Sequence, residues 1–282
     1  MTQPPSLLTV LVADQDAQRR QTIAEVVRAF DPGAIIAEVG SGIDLVEVVL
    51  RHKPTLAFVG LHLEGLSGPE AVALARKQGG VLPCLILVAP RVFPQWQEIA
   101  QSLGAYEVLK LPLDRLHIGN LLHANARRQQ PTSVLVASAS EASRSAVRRV
   151  LGRSGFALQV EETDSGRHAH KLLRMGDYGL AFLDVGLPDL DGLELACQVQ
   201  KLALPTKLTL LTVSEPEPIA RAARYSGVSF VLKMPFHASD IDLALHHAYG
   251  LRRPYLLNAL TKPPAPSALI RVTDLRSRRP AA

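Results

Sequence analysis

The sequence predicts an α/β fold of two tandem doubly wound (βα)5 domains followed by a basic C-terminal tail. Three observations carry the prediction: an internal repeat, a strand–helix alternation within each copy, and a change in charge near residue 250. The segment TVLVADQDAQRRQTIAEVV starting at Thr9 recurs as SVLVASASEASRSAVRRVL starting at Ser133, and LAFVGLHLEGLSG at Leu56 recurs as LAFLDVGLPDLDG at Leu180, both at an offset of 124 residues. Further on, LGAYEVLKLPLD and SGVSFVLKMPFH align at 123, so one residue has been lost between the copies. The implied domains cover residues 7–128 and 132–250, with residues 251–282 as the tail.

Within each copy, short runs rich in Val, Leu and Ile alternate with longer segments whose apolar residues recur at helical spacing. That alternation belongs to a parallel sheet covered on both faces. The first copy places strands at Thr9–Ala13, Ile35–Val39, Leu56–Gly60, Leu85–Ala89 and Glu107–Leu109. The second places them at Ser133–Ala137, Leu158–Glu162, Leu180–Asp184, Lys207–Leu211 and Ser229–Leu232. Turn residues separate strand from helix, as in Asp31-Pro32-Gly33, Ser41-Gly42 and Leu187-Pro188-Asp189. Residues Arg127–Pro131 link the copies, and Pro131 cannot continue the preceding helix.

At 282 residues, with 47% hydrophobic and 20% charged, the chain has the size and composition of two ordinary globular domains rather than of a disordered or fibrous protein. Its longest apolar runs fall short of the roughly 18 residues a membrane helix needs, and Met1–Ser6 does not resemble a signal segment, so a cytoplasmic location is expected. Cys84 and Cys197 have no partner spacing for a metal or a disulfide and read as reduced core residues. The net charge of +5 is unevenly spread: residues 1–130 carry 12 basic and 12 acidic groups, residues 131–250 carry 12 and 13, and residues 251–282 carry 7 and 1. A neutral globular part with a basic tail argues against nucleic-acid binding by the folded domains.

LAFLDVGLPDLDG, followed by LLTVSEP and FVLKMPF, resembles the receiver domains of response regulators in bacterial two-component signalling, over nearly all of residues 7–250. The resemblance implies a flavodoxin-like five-stranded parallel sheet of order 2-1-3-4-5, with its site at the carboxyl ends of the strands. It also implies a chemistry. An Asp ending the third strand accepts a phosphoryl group, an acidic pair after the first strand holds Mg²⁺, and a Thr or Ser after the fourth strand and a Lys after the fifth meet the phosphoryl oxygens. Each part matters, because phosphoryl transfer depends on positioning and on a cation that neutralises oxygen charge.

On this resemblance the second domain keeps Asp184 as phosphoacceptor, Thr212 as switch hydroxyl, Lys233 as phosphate contact and Phe230 as switch aromatic, but Ser138 and Ala139 replace the acidic pair. Asp184 would be the one carboxylate offered to a metal that prefers anionic oxygen, so nothing beyond weak Mg²⁺ binding at Asp184 is expected. The first domain keeps Asp14 and Lys110, whereas Gln15, Gly60, Ala89 and Glu107 fill the other positions, and Gly60 has no side chain to phosphorylate. Asp16 lies past the pair and is expected to face solvent or to cap the first helix. Lys233 is expected to pair with Asp184 in the absence of phosphate. Both copies read Lys-x-Pro, at Lys110-Leu111-Pro112 and Lys233-Met234-Pro235, and the isomer of those bonds stays open.

These readings imply an adaptor or response regulator without an output domain, and not an enzyme. It would work by contact with a histidine kinase, with another response regulator or with itself through the face of the fourth helix, fifth strand and fifth helix. Alternatives are a phospho-accepting regulator or phosphate sink using Asp184, and a nucleic-acid binder using the tail. Trp96, beside Phe93, reads either as an exposed anchor on that face in the first domain or as a residue packed against the sheet. The pairs His168/His170 and His246/His247 lack ligand spacing and read as surface residues. The tail, with Pro254, Pro263, Pro264, Pro266 and Pro280 and with Arg271, Arg276, Arg278 and Arg279, lacks helical periodicity and reads as mobile and solvated.

Overall fold

The computed structural model describes residues 8–82, 84–91, 94–252, 254 and 268–272. The chain divides into two compact units: among the described residues, the first holds those up to Arg127 together with Arg252 and Pro254, and the second holds 128–251 together with 268–272.

In the first unit β1 (Thr9–Ala13), β2 (Ile35–Val39), β3 (Leu56–Gly60), β4 (Leu85–Ala89) and β5 (Glu107–Lys110) form a parallel sheet of order β2-β1-β3-β4-β5. The crossovers are α1 (Ala17–Phe30), α2 (Gly42–His52), α3 (Gly68–Lys77) and α4 (Pro94–Ser102), and α5 (Arg115–Gln129) follows β5. Strands β3 and β4 are buried at every position, whereas the edge strand β2 is not, as a sheet covered on both faces requires. Alternate residues of each strand divide between two cores. Leu11, Ala57 and Leu85 pack with Leu45 and Val49 of α2, and Val10, Phe58 and Ile86 pack with Ile23 of α1 and Ile118 and Leu122 of α5.

The second unit repeats this plan with β6 (Thr132–Ala137), β7 (Leu158–Thr163), β8 (Tyr178–Asp184), β9 (Lys207–Thr212) and β10 (Val228–Lys233). Its helices are α6 (Glu141–Leu151), α7 (Gly166–Met175), α8 (Gly192–Lys201), α9 (Pro216–Ala222) and α10 (Ala238–Ala248), with a single 3₁₀ turn at Ala223–Tyr225 after α9. Phe58 and Phe182, one repeat apart, are both fully buried at the centres of their sheets. Local chemistry sets the helix starts: Asp16, Ser41, Ser67, Ser140, Ser165 and Asp191 each cap a helix by accepting backbone N–H groups, and Ser67 forms a capping box with Glu70. Asp16 therefore has the capping role read for it from sequence.

One departure concerns the tail. Leu269–Arg271 forms a further strand, β11, antiparallel to β10, so the second sheet has six strands in the order β11-β10-β9-β8-β6-β7. Leu269 and Val272 are buried, as is Pro254, which corrects the expectation of a solvated tail for these residues. The stretch Leu269-Ile270-Arg271-Val272 holds no proline and has three aliphatic side chains in four, and β10 offers it an open edge. Pro263, Pro264, Pro266, Pro280, Arg276, Arg278 and Arg279 lie outside the described residues, as does Phe93. Trp96 is half-buried and packs on the first unit's core, which decides between its two readings. His246 is 1% exposed and meets the Phe156 ring edge-on, so it is a core residue rather than a surface one, and Cys197 is half-buried while Cys84 is buried. The peptide bonds Leu111–Pro112 and Met234–Pro235 are cis.

Each unit brings the first helical glycine after the third strand against that strand's last residue. A Cβ on Gly68 would lie 2.0 Å from the Gly60 carbonyl oxygen, and one on Gly192 would lie 2.3 Å from that of Asp184. Main-chain atoms at such distances have nowhere to go, so Gly68→Ala and Gly192→Ala should each destabilise their unit by about 1–3 kcal/mol, the range for overpacking. Urea denaturation of the full chain checks this.

Candidate site at the strand ends

The carboxyl ends of β1 and β3, and of β6 and β8, bring together the residues singled out from sequence. The frame is the same in both units. The Asp14 N–H donates to the Val39 carbonyl at 3.1 Å and the Ser138 N–H to the Thr163 carbonyl at 3.0 Å. An arginine from the following helix then grips the same residue's carbonyl: Arg20 reaches that of Asp14 and Arg144 that of Ser138, each at 2.6 Å. Sequence reasoning passed over these two arginines, although their repetition at an offset of 124 was the signal that could have found them.

Within that frame the side chains are exchanged. In the first unit the carboxylate comes from β1: Asp14 is 2% exposed, its Oδ1 accepts from the Asp16 N–H at 2.9 Å, and its Oδ2 lies 3.4 Å from the Arg19 guanidinium without a hydrogen bond. A Cβ on Gly60 would stand 2.8 Å from that Oδ2, so the Asp14 carboxylate fills the space that an acceptor side chain at position 60 would need. Burial pushes the Asp14 carboxyl above its ordinary range, outweighing the Asp16 N–H and the Arg19 charge, which pull it down. In the second unit the carboxylate comes from β8: Asp184 accepts from the Ser138 hydroxyl at 2.5 Å through Oδ2 and from the Gly186 N–H at 2.9 Å through Oδ1.

The remaining candidates are arranged differently from expectation. Lys233 does not meet Asp184: its ammonium bonds Glu215, which follows β9, and the pair ties the end of β10 to the start of α9. Glu215 is largely exposed, and nothing in the sequence marked it as a partner. The Thr212 hydroxyl is buried and accepts from the Ser214 N–H at 3.0 Å, holding the turn after β9. Phe230 is 3% exposed, with the His247 ring edge-on at 4.8 Å. In the first unit Ala89 and Glu107 are buried, Lys110 and Gln15 are exposed, and Glu107 Oε2 stands 3.8 Å from the ring of His117, whose pKa burial lowers. Ala139 is exposed. Each site thus offers one carboxylate, and no group of three or more His, Cys, Asp or Glu side chains suited to a metal occurs among the described residues.

Comparison with known proteins agrees with this architecture. Residues 134–246 match the model of the response regulator receiver domain. A transcriptional regulator of Pseudomonas aeruginosa is 37% identical over 103 residues, 36% of this chain and 49% of its own length. The virulence regulator BvgA of Bordetella pertussis is 40% identical over 91 residues, 32% of this chain and 43% of its own. The chain therefore spans about half the length of these curated relatives. A response regulatory protein of Shewanella oneidensis is 23% identical over 224 residues, 79% of this chain and 83% of its own length. The crystal structure of a two-component system response regulator/GGDEF domain protein superposes with a TM-score of 0.62 at 19% identity, covering 86% of this chain and 98% of that one, which establishes the fold.

The second unit carries a titration that tests how its loops are tied. Asp189, after β8, accepts from the Ser165 hydroxyl at 2.6 Å and from the Gly166 and Arg167 N–H groups at 2.7 and 3.1 Å, at the start of α7. The Ser165 hydroxyl foremost, with those amides, holds its pKa at about 2 against an ordinary 3.8. Because the folded value lies below the unfolded one, the stabilisation is complete above the ordinary value and is lost as pH falls from 3.8 towards about 2. Asp189→Asn should flatten the dependence of stability on pH across that window, as followed by denaturation at a series of pH values.

The chain is a tandem of two receiver-like α/β units, and the second matches the response regulator receiver domain over residues 134–246.

Proposed function

We propose that this chain is a two-component signalling adaptor that acts by protein contact and whose output does not depend on phosphoryl transfer. The observation that carries the reading is the exchange at the strand ends: Asp14 faces a glycine, and Asp184 faces a serine. A phosphoacceptor needs a cation to offset charge on the transferring oxygens, and that cation needs several anionic ligands. The first unit has no acceptor side chain, and in the second both Asp184 oxygens are engaged by the Ser138 hydroxyl and the Gly186 N–H. The residues present do not fit a carboxylate-built Mg²⁺ site, and no resident metal is assigned. With Lys233 held by Glu215, nothing draws an anion to Asp184 through that lysine.

On this reading the partners are a histidine kinase or another response regulator, and the site residues Asp184, Thr212, Phe230 and Lys233 set the shape of a docking face rather than a reaction. The first unit serves as a fixed docking module. Among the described residues no helix is long and apolar enough to cross a membrane, which agrees with action in the cytoplasm. A second reading, in which Asp184 accepts a phosphoryl group, is favoured by its position at the end of β8, where it pairs with Leu211, the residue before the buried Thr212.

Intact-protein mass after incubation with acetyl phosphate and Mg²⁺ separates the two. The adaptor reading expects no phosphate-sized increase in wild type and gain of one in the Ser138→Asp, Ala139→Asp double variant, which restores two carboxylates beside Asp184. An increase in wild type that vanishes in Asp184→Asn would establish the second reading. In the first unit Gly60→Asp should gain no phosphate even with Gln15→Asp, because the new side chain collides with Asp14.

A further inference from the structure

The edge of the second sheet carries an observation that the site chemistry does not use. Strand β11 lies in a groove between α9 and α10, with Phe230 opposite Arg271, Val231 opposite Ile270 and Leu232 opposite Leu269, and the Lys233 N–H donates to the Ala268 carbonyl at 2.7 Å. Its side chains divide by strand alternation. Leu269 joins Phe230, Ile241 and Leu245 on the α10 side, where the Arg271 guanidinium also stands 6.0 Å from the centre of the Phe230 ring. Ile270 and Val272 join Ala220, Ala223 and Val231 on the α9 side. The groove is thus matched to a short extended segment with two aliphatic faces and a cation over Phe230.

Without β11, β10 would be an edge strand with open ladder groups and an apolar floor, the arrangement to which another chain adds a strand. A covering strand this short rests on a few side chains and a three-residue ladder, the least of any strand in the sheet. It is joined to α10 through residues 249–268.

We propose that the α9–β10–α10 groove is a strand-acceptor site, that Ala268–Val272 is its occupant in cis, and that a partner docks there by supplying an extended antiparallel segment of the same pattern in its place. The proposal rests on the adaptor reading for its purpose. It adds the mode of recognition, backbone addition to β10, and places the contact at Lys233, whose amide holds the strand while its ammonium holds Glu215.

The test uses the full chain and a fluorescein-labelled peptide of residues 266–274, Pro-Ser-Ala-Leu-Ile-Arg-Val-Thr-Asp. In Leu269→Asp the resident strand cannot bury its anchor, so this variant should bind the peptide at least roughly tenfold more tightly than wild type, in which the groove is filled. A peptide with Pro at the position of Ile270 should fail to bind. Amide exchange at Lys233 should be slow in wild type, fast in Leu269→Asp and slow again when the peptide is added. Equal affinity for wild type and variant, or no binding to a variant whose β6, β8 and β9 amides remain protected, would overturn the proposal. Leu269→Ser serves if the Asp variant does not fold. An exposed-edge exchange rate at Lys233 in wild type would overturn it too. Neither a kinase nor a phosphodonor is involved, so a failure here leaves the adaptor reading standing.

Discussion

Two neighbouring strand ends in each unit hold one carboxylate between them, and this restriction organises the rest of the site. A carboxylate on the first strand and another on the third face each other across a few ångströms. Like charges at that spacing coexist when a cation sits between them or when one is protonated. The first unit meets the restriction by deleting the third-strand side chain: Gly60 leaves room for the Asp14 oxygen, and Arg19 stands nearby as a built-in cation. The second meets it from the opposite side, replacing the first-strand carboxylate by a hydroxyl that donates to Asp184. Both are ways of being stable without a bound ion.

With the charge settled locally, the other candidate residues make structural contacts. Thr212 holds the turn after β9, and Lys233 pairs with Glu215 across a half-exposed surface where such a pair contributes little. The backbone frame around them persists in both units: the same strand-end amide, the same arginine on the same carbonyl, the same glycine packed on the third strand. On the adaptor reading this shared frame serves the surfaces, since it sets where the helices stand.

The fold was legible because its signals are local and repeated. Continuous apolar runs mark buried strands, and Ser or Asp before α1, α2, α3, α6, α7 and α8 marks the caps; strand ends were placed to within two residues: Lys110, Thr132, Thr163, Thr212, Val228 and Lys233 are the positions by which strands run longer than their apolar patterns, and Tyr178 extends β8 by two. The candidate site was legible as a set of positions, because alignment of the two copies puts Asp14 against Ser138 and Gly60 against Asp184. The partners of those positions were not. Lys233 with Glu215 in place of Asp184 depends on rotamers and on a turn, and His246 turned out to be core because α10 presents it to Phe156, a contact that sequence spacing does not encode. Strand β11 was hidden by composition: the proline and arginine of the surrounding tail outweigh four residues of which three are aliphatic.

On the adaptor reading no cation at Asp184 drives the second unit between states, because a ligand shifts an equilibrium only by its differential affinity for the two states. What remains in the second unit is a residue shared between two contacts. Lys233 bonds Glu215 through its side chain and the covering strand through its amide, and Phe230, three residues earlier, lies under Arg271 of the same strand. Departure of the strand therefore uncovers the aromatic ring and frees the Lys233 amide in one event, with no phosphoryl group required. Such an exchange is driven by whichever segment fills the groove better, and a strand carried on the same chain has the advantage of its high effective concentration. A partner must overcome that advantage through contacts beyond the groove, and the exposed surfaces of α9 and α10 on either side of β10 are the places where those contacts would form.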